Sequence, residues 1–171
     1  MEKLLDKLSS YSIVNNLIPG AFFVYLFKLF ISEQLPLESS IEKVFAYYCC
    51  GMIISRVGSL IIEPICAKLR IVKYAPKAEY IAATKKDKLI ETLLETNNLY
   101  RTCAGMALML LVCKLYSCIA QFLLIPETIT WWVIIVLLLI LFIVSYRKQT
   151  KQIVSRVVAA NENTHQDAGG D

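Results

Sequence analysis

The chain has 171 residues, 57% of them hydrophobic and 19% charged, with a formal net charge of +4 and a mean hydropathy of +0.56. A soluble domain of this length cannot bury so much apolar surface in one core, and a disordered chain would be far more polar. The composition fits an all-α membrane protein, in which a second, apolar solvent takes up the excess.

Leu4, Leu5 and Leu8 lie at helical spacing among Glu2, Lys3, Asp6 and Lys7, either as a short interfacial helix or as the frayed start of the first span. Apolar runs follow at residues 17–35, 44–65, 102–124 and 129–146. At about 1.5 Å per residue each can cross a hydrocarbon layer of about 30 Å, so four transmembrane helices are expected. The first is entered through Asn15-Asn16 and Pro19-Gly20 and left through Glu33 and Pro36. It lacks the short apolar core and small-residue cleavage site of a secretory signal, and is read as a retained span. Trp131 and Trp132 at one end of the fourth run, and Tyr146 at the other, match the two interfaces of a bilayer.

Between the second and third runs, Pro76 offers a helix start. Ile81, Ala82, Leu89, Ile90, Leu93 and Leu94 gather on one side, and Lys85, Lys86, Asp87, Glu91 and Glu95 on the other. An amphipathic cytoplasmic helix is expected there, with Lys73, Lys77, Lys85, Lys86 and Lys88 facing membrane lipids or a cytosolic protein partner; lipid contact is the simpler of the two. The segment after residue 146 is basic, with Arg147, Lys148, Lys151 and Arg156, and is expected to become disordered from Asn161 onward, where the one histidine, His165, lies. The remaining two connections hold only Lys43 against Glu33, Glu38, Glu42 and Glu127. The positive-inside rule therefore places both termini and loop 67–101 in the cytoplasm. The expected organisation is a four-helix transmembrane domain over 1–146, including that loop, and a tail over 147–171.

Little points to chemistry. The cysteines, Cys49, Cys50, Cys66, Cys103, Cys113 and Cys118, include no C-x-x-C pair, and one histidine cannot supply a metal or haem site. Hydrolase, zincin, Walker and dinucleotide-binding motifs are missing from the sequence. Neither a catalytic residue, a cofactor, a metal nor direct nucleic-acid binding is expected.

The informative residues are polar ones within the spans. Counted from the cytoplasmic ends, Lys28, Arg56 and Lys114 each fall about 13 to 18 Å deep, which would make a basic layer near the midplane. A charge there costs at least about 2.5 kcal/mol on insertion scales. The lysines can snorkel, but a guanidinium stays charged and seeks a partner. Glu63, two turns from Arg56 with Gly58 and Ser59 between, is the one carboxylate within a span. A second polar set gathers at the inner end: Asn15 and Asn16, Glu63, and Asn97, Asn98 and Arg101. A Glu63–Arg101 bridge framed by asparagines is expected, as a network that fixes helix register rather than a catalytic site.

Three patches, Asn15-Asn16-Leu17-Ile18-Pro19-Gly20, residues 55–64 (SRVGSLIIEP) and Asn97-Asn98-Leu99-Tyr100-Arg101-Thr102, resemble small multi-span proteins of bacterial anti-phage defence loci, in particular the KwaA-like membrane subunits of Kiwa systems. The resemblance covers these short stretches only and carries no catalytic motif. It implies a homo-oligomer in the bacterial inner membrane that works with a cytosolic partner. Two function classes follow: a non-catalytic sensor or scaffold whose basic inner face holds that partner, or an oligomeric pore lined by Lys28, Arg56 and Lys114 that depolarises the membrane. A lipid-modifying or transport role is weaker, because no inverted repeat is evident.

Overall fold

The computed structural model describes residues 2–31, 39–75, 79, 83, 84, 87 and 89–167, among which there are helices and no strand. The helices are α1 (Glu2–Ile31), α2 (Ser40–Val57), a π-helical turn (Gly58–Ile62), α3 (Glu63–Lys68), α4 (Leu89–Phe122) and α5 (Glu127–Asp167). The second, the π-turn and the third run on as one rod. Three helices are long and apolar enough to cross a membrane: Ser40–Lys68, Leu89–Phe122 and Glu127–Val158. A shorter apolar stretch, Asn15–Ile31, lies in α1. This is the make-up of an integral membrane protein.

Some boundaries differ from expectation. The segment before Asn15, which the sequence leaves open to two readings, belongs to the same helix as the first apolar run, even though Pro19 lacks the N–H that would reach the Asn15 carbonyl. Helix α4 begins at Leu89, so Leu89, Ile90, Leu93 and Leu94 of the expected amphipathic helix are continuous with the third apolar run, while Ile81 and Ala82 lie outside the described residues. Asp87 Oδ1 accepts from the Leu89 N–H at 2.8 Å and caps this start. Helix α5 runs past Asn161 to Asp167, where disorder was expected.

Local chemistry sets the helix ends. Ser39 opens α2: its hydroxyl accepts from the Ile41 N–H, and Glu42 reaches back to the Ser39 N–H, both at 3.3 Å. The C-termini of α3 and α4 close alike. Arg70 (φ 58) and Leu124 (φ 51) adopt left-handed backbone, and the next residue's N–H returns five residues, from Ile71 to the Cys66 carbonyl at 2.9 Å and from Ile125 to that of Ala120 at 3.0 Å. Pro126 then stops α4 and turns the chain into α5.

Close helix crossings rest on two glycine pairs. A Cβ at Gly20 would strike the Tyr47 carbonyl, and one at Gly51 the Asn16 carbonyl, so α1 and α2 touch backbone to backbone, antiparallel. At the α2–α4 crossing, a Cβ on Gly105 would lie 2.9 Å from the Ile54 carbonyl and one on Gly58 2.8 Å from that of Arg101. Small residues allow such contact, and in a bilayer, where apolar side chains gain nothing by leaving lipid, contact of this kind drives association. Phe23, Ile54 and Met106 form the buried core between these helices. Helix α5 stands apart. From Trp131 to Val144 most of its side chains are exposed within the protomer, and the Tyr116 hydroxyl to Thr130 Oγ1 bond, at 2.8 Å, ties its N-terminal end to α4.

Candidate functional site

The C-terminal part of α5 meets the bundle at a cluster of charges built on the π-turn. Pro64 has no N–H and its ring would press on the Leu60 carbonyl of a regular helix; the backbone widens just ahead of it, with the Glu63 N–H bonded to the Gly58 carbonyl. The widening alters the register by which Arg56 and Glu63 would share a face. Arg56 is exposed and makes no ion pair among the described residues, whereas Glu63 turns into the helix junction.

There, one carboxylate oxygen gathers three donors. Arg101 Nη1 reaches Glu63 Oε2 at 2.9 Å, Lys148 Nζ reaches the same atom at 3.0 Å, and Ser59 Oγ lies 3.4 Å from it. Lys148 also donates to the Ser59 carbonyl at 2.7 Å and to Ser59 Oγ at 2.9 Å. Each ion-pairing side chain retains only 25–29% of its exposure, so the attraction is screened less than at a surface. The cluster thereby links α3, α4 and α5. Beyond α3, Tyr74 lies close enough that, after desolvation, the Glu63 carboxylate helps hold its phenol above the ordinary value, with Arg101 opposing.

A serine within reach of a lysine is the geometry of Ser–Lys nucleophilic catalysis. Here the Lys148 ammonium directs its N–H groups at Glu63, the Ser59 carbonyl and the Ser59 hydroxyl. These contacts tie α5 to the π-turn and α3.

On the α5 side, Arg56, Ser59, Ser145, Lys148, Gln149 and Gln152 line a small polar cleft whose enclosed part, about 20 Å³, has room for one water-sized group. Ser145 is 8% exposed. Its Oγ, like Arg101 Nε and Asn15 Oδ1, is buried without a hydrogen-bond partner among the described residues.

The sequence-derived candidates therefore divide. Glu63 and Arg101 are joined. Asn15, Asn16, Asn97 and Asn98 do not bond to that pair: the Asn16 backbone packs on Gly51, the Asn98 carbonyl accepts from the buried Thr102 hydroxyl at 2.9 Å, and Asn97 is exposed. Lys28, Arg56 and Lys114 do not form a layer. Gly105 is level with Ile54 and Gly58, and Lys114 lies about 13 Å beyond it on α4, away from Arg56, at about 1.5 Å per residue. Its ammonium donates to the Phe30 carbonyl at the far end of α1, at 2.8 Å. Lys28, in the last turn of α1, is exposed, and Arg56 sits beside the polar part of α5. Lys73 is exposed after α3; Lys77, Lys85, Lys86 and Lys88 lie outside the described residues.

The sequence places Lys148 only among the basic residues of the tail and gives Ser145, inside the fourth apolar run, no role. The signal was present: Ser145, Lys148, Gln149 and Gln152 recur at i, i+3, i+4 and i+7, one helical face carried on past the uninterrupted apolar stretch that ends at Val144. No protein-family model matches the chain, and no curated protein or solved structure shows significant similarity to it.

Proposed function

We propose that this chain is a non-catalytic sensor or scaffold subunit that crosses the membrane four times with both termini inside. In this reading it passes disturbance of the bilayer to a cytosolic partner held by its basic inner surface. The observation that carries the proposal is the attachment of α5: nearly all of its apolar length is exposed within the protomer, while its inner end is held by Lys148 on Glu63 and Ser59. A helix that gains little from packing and much from one charge cluster is suited to shift when lateral pressure, thickness or surface charge of the bilayer changes.

The fourth crossing is supported by α1 lying antiparallel on α2 where Gly20 meets Tyr47 and Gly51 meets Asn16, and by the Phe30 carbonyl near the end of α1 receiving Lys114 of α4. Copies associate in this reading through the exposed apolar faces, because a protomer with so few buried side chains leaves those faces to lipid or to another copy. The resemblance of three sequence patches to KwaA-like subunits suggests the bacterial inner membrane and anti-phage defence as the setting. An oligomeric pore has less behind it, since the three cations that would line it are spread along the helices.

Affinity capture of the full chain from membranes, before and after bilayer disturbance, tests the proposal. It predicts a cytosolic protein whose recovery depends on loop 67–101. Capture of the intact chain with no cytosolic protein, together with ion flux from liposomes holding the chain alone, contradicts it.

A further inference from the structure

The cleft between the π-turn and α5 carries more positive charge than the structure compensates. Glu63 is shared by Arg101 and Lys148, and Arg56 at the cleft edge has no carboxylate among the described residues. Three cations thus face one anion. Two groups point to a ligand: the Ser145 hydroxyl, in the cleft wall, and Arg101 Nε, at the neighbouring ion pair, are both buried without hydrogen-bond partners among the described residues. The guanidinium N–H can only donate and the hydroxyl can donate or accept, so with the excess charge positive an anionic acceptor suits both. Its enclosed space of about 20 Å³ admits one oxygen atom and leaves the rest of a larger group at the open mouth.

Position narrows the chemistry further. Counted from Ile129, Lys148 lies about 28 Å along α5 at about 1.5 Å per residue, close to the hydrocarbon thickness of about 30 Å. The apolar run ends at Val144, and the cleft residues Ser145, Lys148, Gln149 and Gln152 begin there, opposite Trp131 and Trp132. This is the level of lipid phosphates in the inner leaflet.

We infer that the cleft formed by Arg56, Ser59, Ser145 and Lys148 binds the phosphate of an anionic phospholipid, one phosphate oxygen entering toward Ser145 and the charge facing Arg56. The site stands on geometry and charge whatever signal the protein carries, and its assignment to the inner leaflet rests on the topology proposed above. Arg56 can pair with two phosphate oxygens at once, and the uncompensated charge favours lipids with net negative charge over phosphatidylcholine, whose choline offsets its phosphate.

The test is native mass spectrometry of the full chain in detergent, titrated with phosphatidylglycerol, phosphatidylcholine or inorganic phosphate. The wild type should retain phosphatidylglycerol over phosphatidylcholine, and Arg56→Gln should weaken that retention about fivefold, the effect of one cation near an anionic surface. Ser145→Ala, a small change at a residue without a partner, should weaken it by a smaller factor, while Lys151→Gln, outside the cleft, should leave it unchanged. If millimolar phosphate displaces the lipid and binds alone with the same Arg56 dependence, the chemistry stands and the ligand is the free anion. Equal retention of the two lipids, or retention indifferent to both Arg56→Gln and Ser145→Ala, overturns the inference.

Discussion

Replacing Glu63 by Gln is the most searching perturbation of the helix junction, because it keeps the shape and removes the charge that two cations share. Glu63 Oε2 accepts from Arg101 at 2.9 Å and from Lys148 at 3.0 Å. A hydrogen bond to a charged group contributes about 1.5 to 3 kcal/mol and a neutral one about 0.5 to 1.5, so each donor loses about 1 kcal/mol when the acceptor becomes an amide. The two cations, about three-quarters buried, are then left facing each other without an anion, which adds to the loss but stays below the ~3 to 5 kcal/mol of a fully buried broken pair. A destabilisation of about 2 to 3 kcal/mol is expected, measured by steric trapping or reversible unfolding in bicelles. The double-mutant cycle of Glu63→Gln with Lys148→Gln should return a coupling of about 1 kcal/mol. A Glu63→Gln protein within about 0.5 kcal/mol of wild type, or a cycle with no coupling, would refute the claim that charge holds α5.

Other outcomes follow from the same structure. Gly51→Leu should separate α1 from α2, since even a Cβ there strikes the Asn16 carbonyl; a cysteine crosslink between the two helices should fall away while α2–α4 crosslinks persist. Leu124→Gly should stabilise the α4–α5 turn by about 1 kcal/mol by removing a side chain from left-handed backbone, read as a raised unfolding midpoint. Lys114→Met should loosen the end of α1 by removing the donor to the Phe30 carbonyl, seen as faster hydrogen exchange in the last turn of that helix and not at its centre.

How much of this was legible in the sequence depends on the type of signal. Apolar runs long enough to cross a bilayer stand out by composition, and the second, third and fourth correspond to long helices. Glu63 and Arg101 could be paired in advance because a lone carboxylate in an apolar run must find a cation, and the hairpin of the second and third runs brings one to its level. Lys148 was hidden for the opposite reason. Lysines after a span are common, and nothing about one marks it as buried until α5 is seen to continue as a helix beside Ser59. The supposed midplane layer failed because depth was counted from assumed helix ends. Helix α4 begins well before the apolar run at 102, and the π-turn caused by Pro64 changes which face Arg56 presents. The asparagines illustrate a further limit: polar side chains near one another in depth need not share a face.

The distance between α3 and α5 in a lipid bilayer tests the central claim most directly. With spin labels at Ile65 and Lys151, both exposed, double electron–electron resonance on the full chain should give one narrow distribution at rest. That distribution should broaden and lengthen when the bilayer is stretched osmotically, and should already be broad at rest in Glu63→Gln. A distribution that stays narrow under stretching and in Glu63→Gln alike would contradict the account, because α5 would then be held by something other than the Glu63–Arg101–Lys148 cluster.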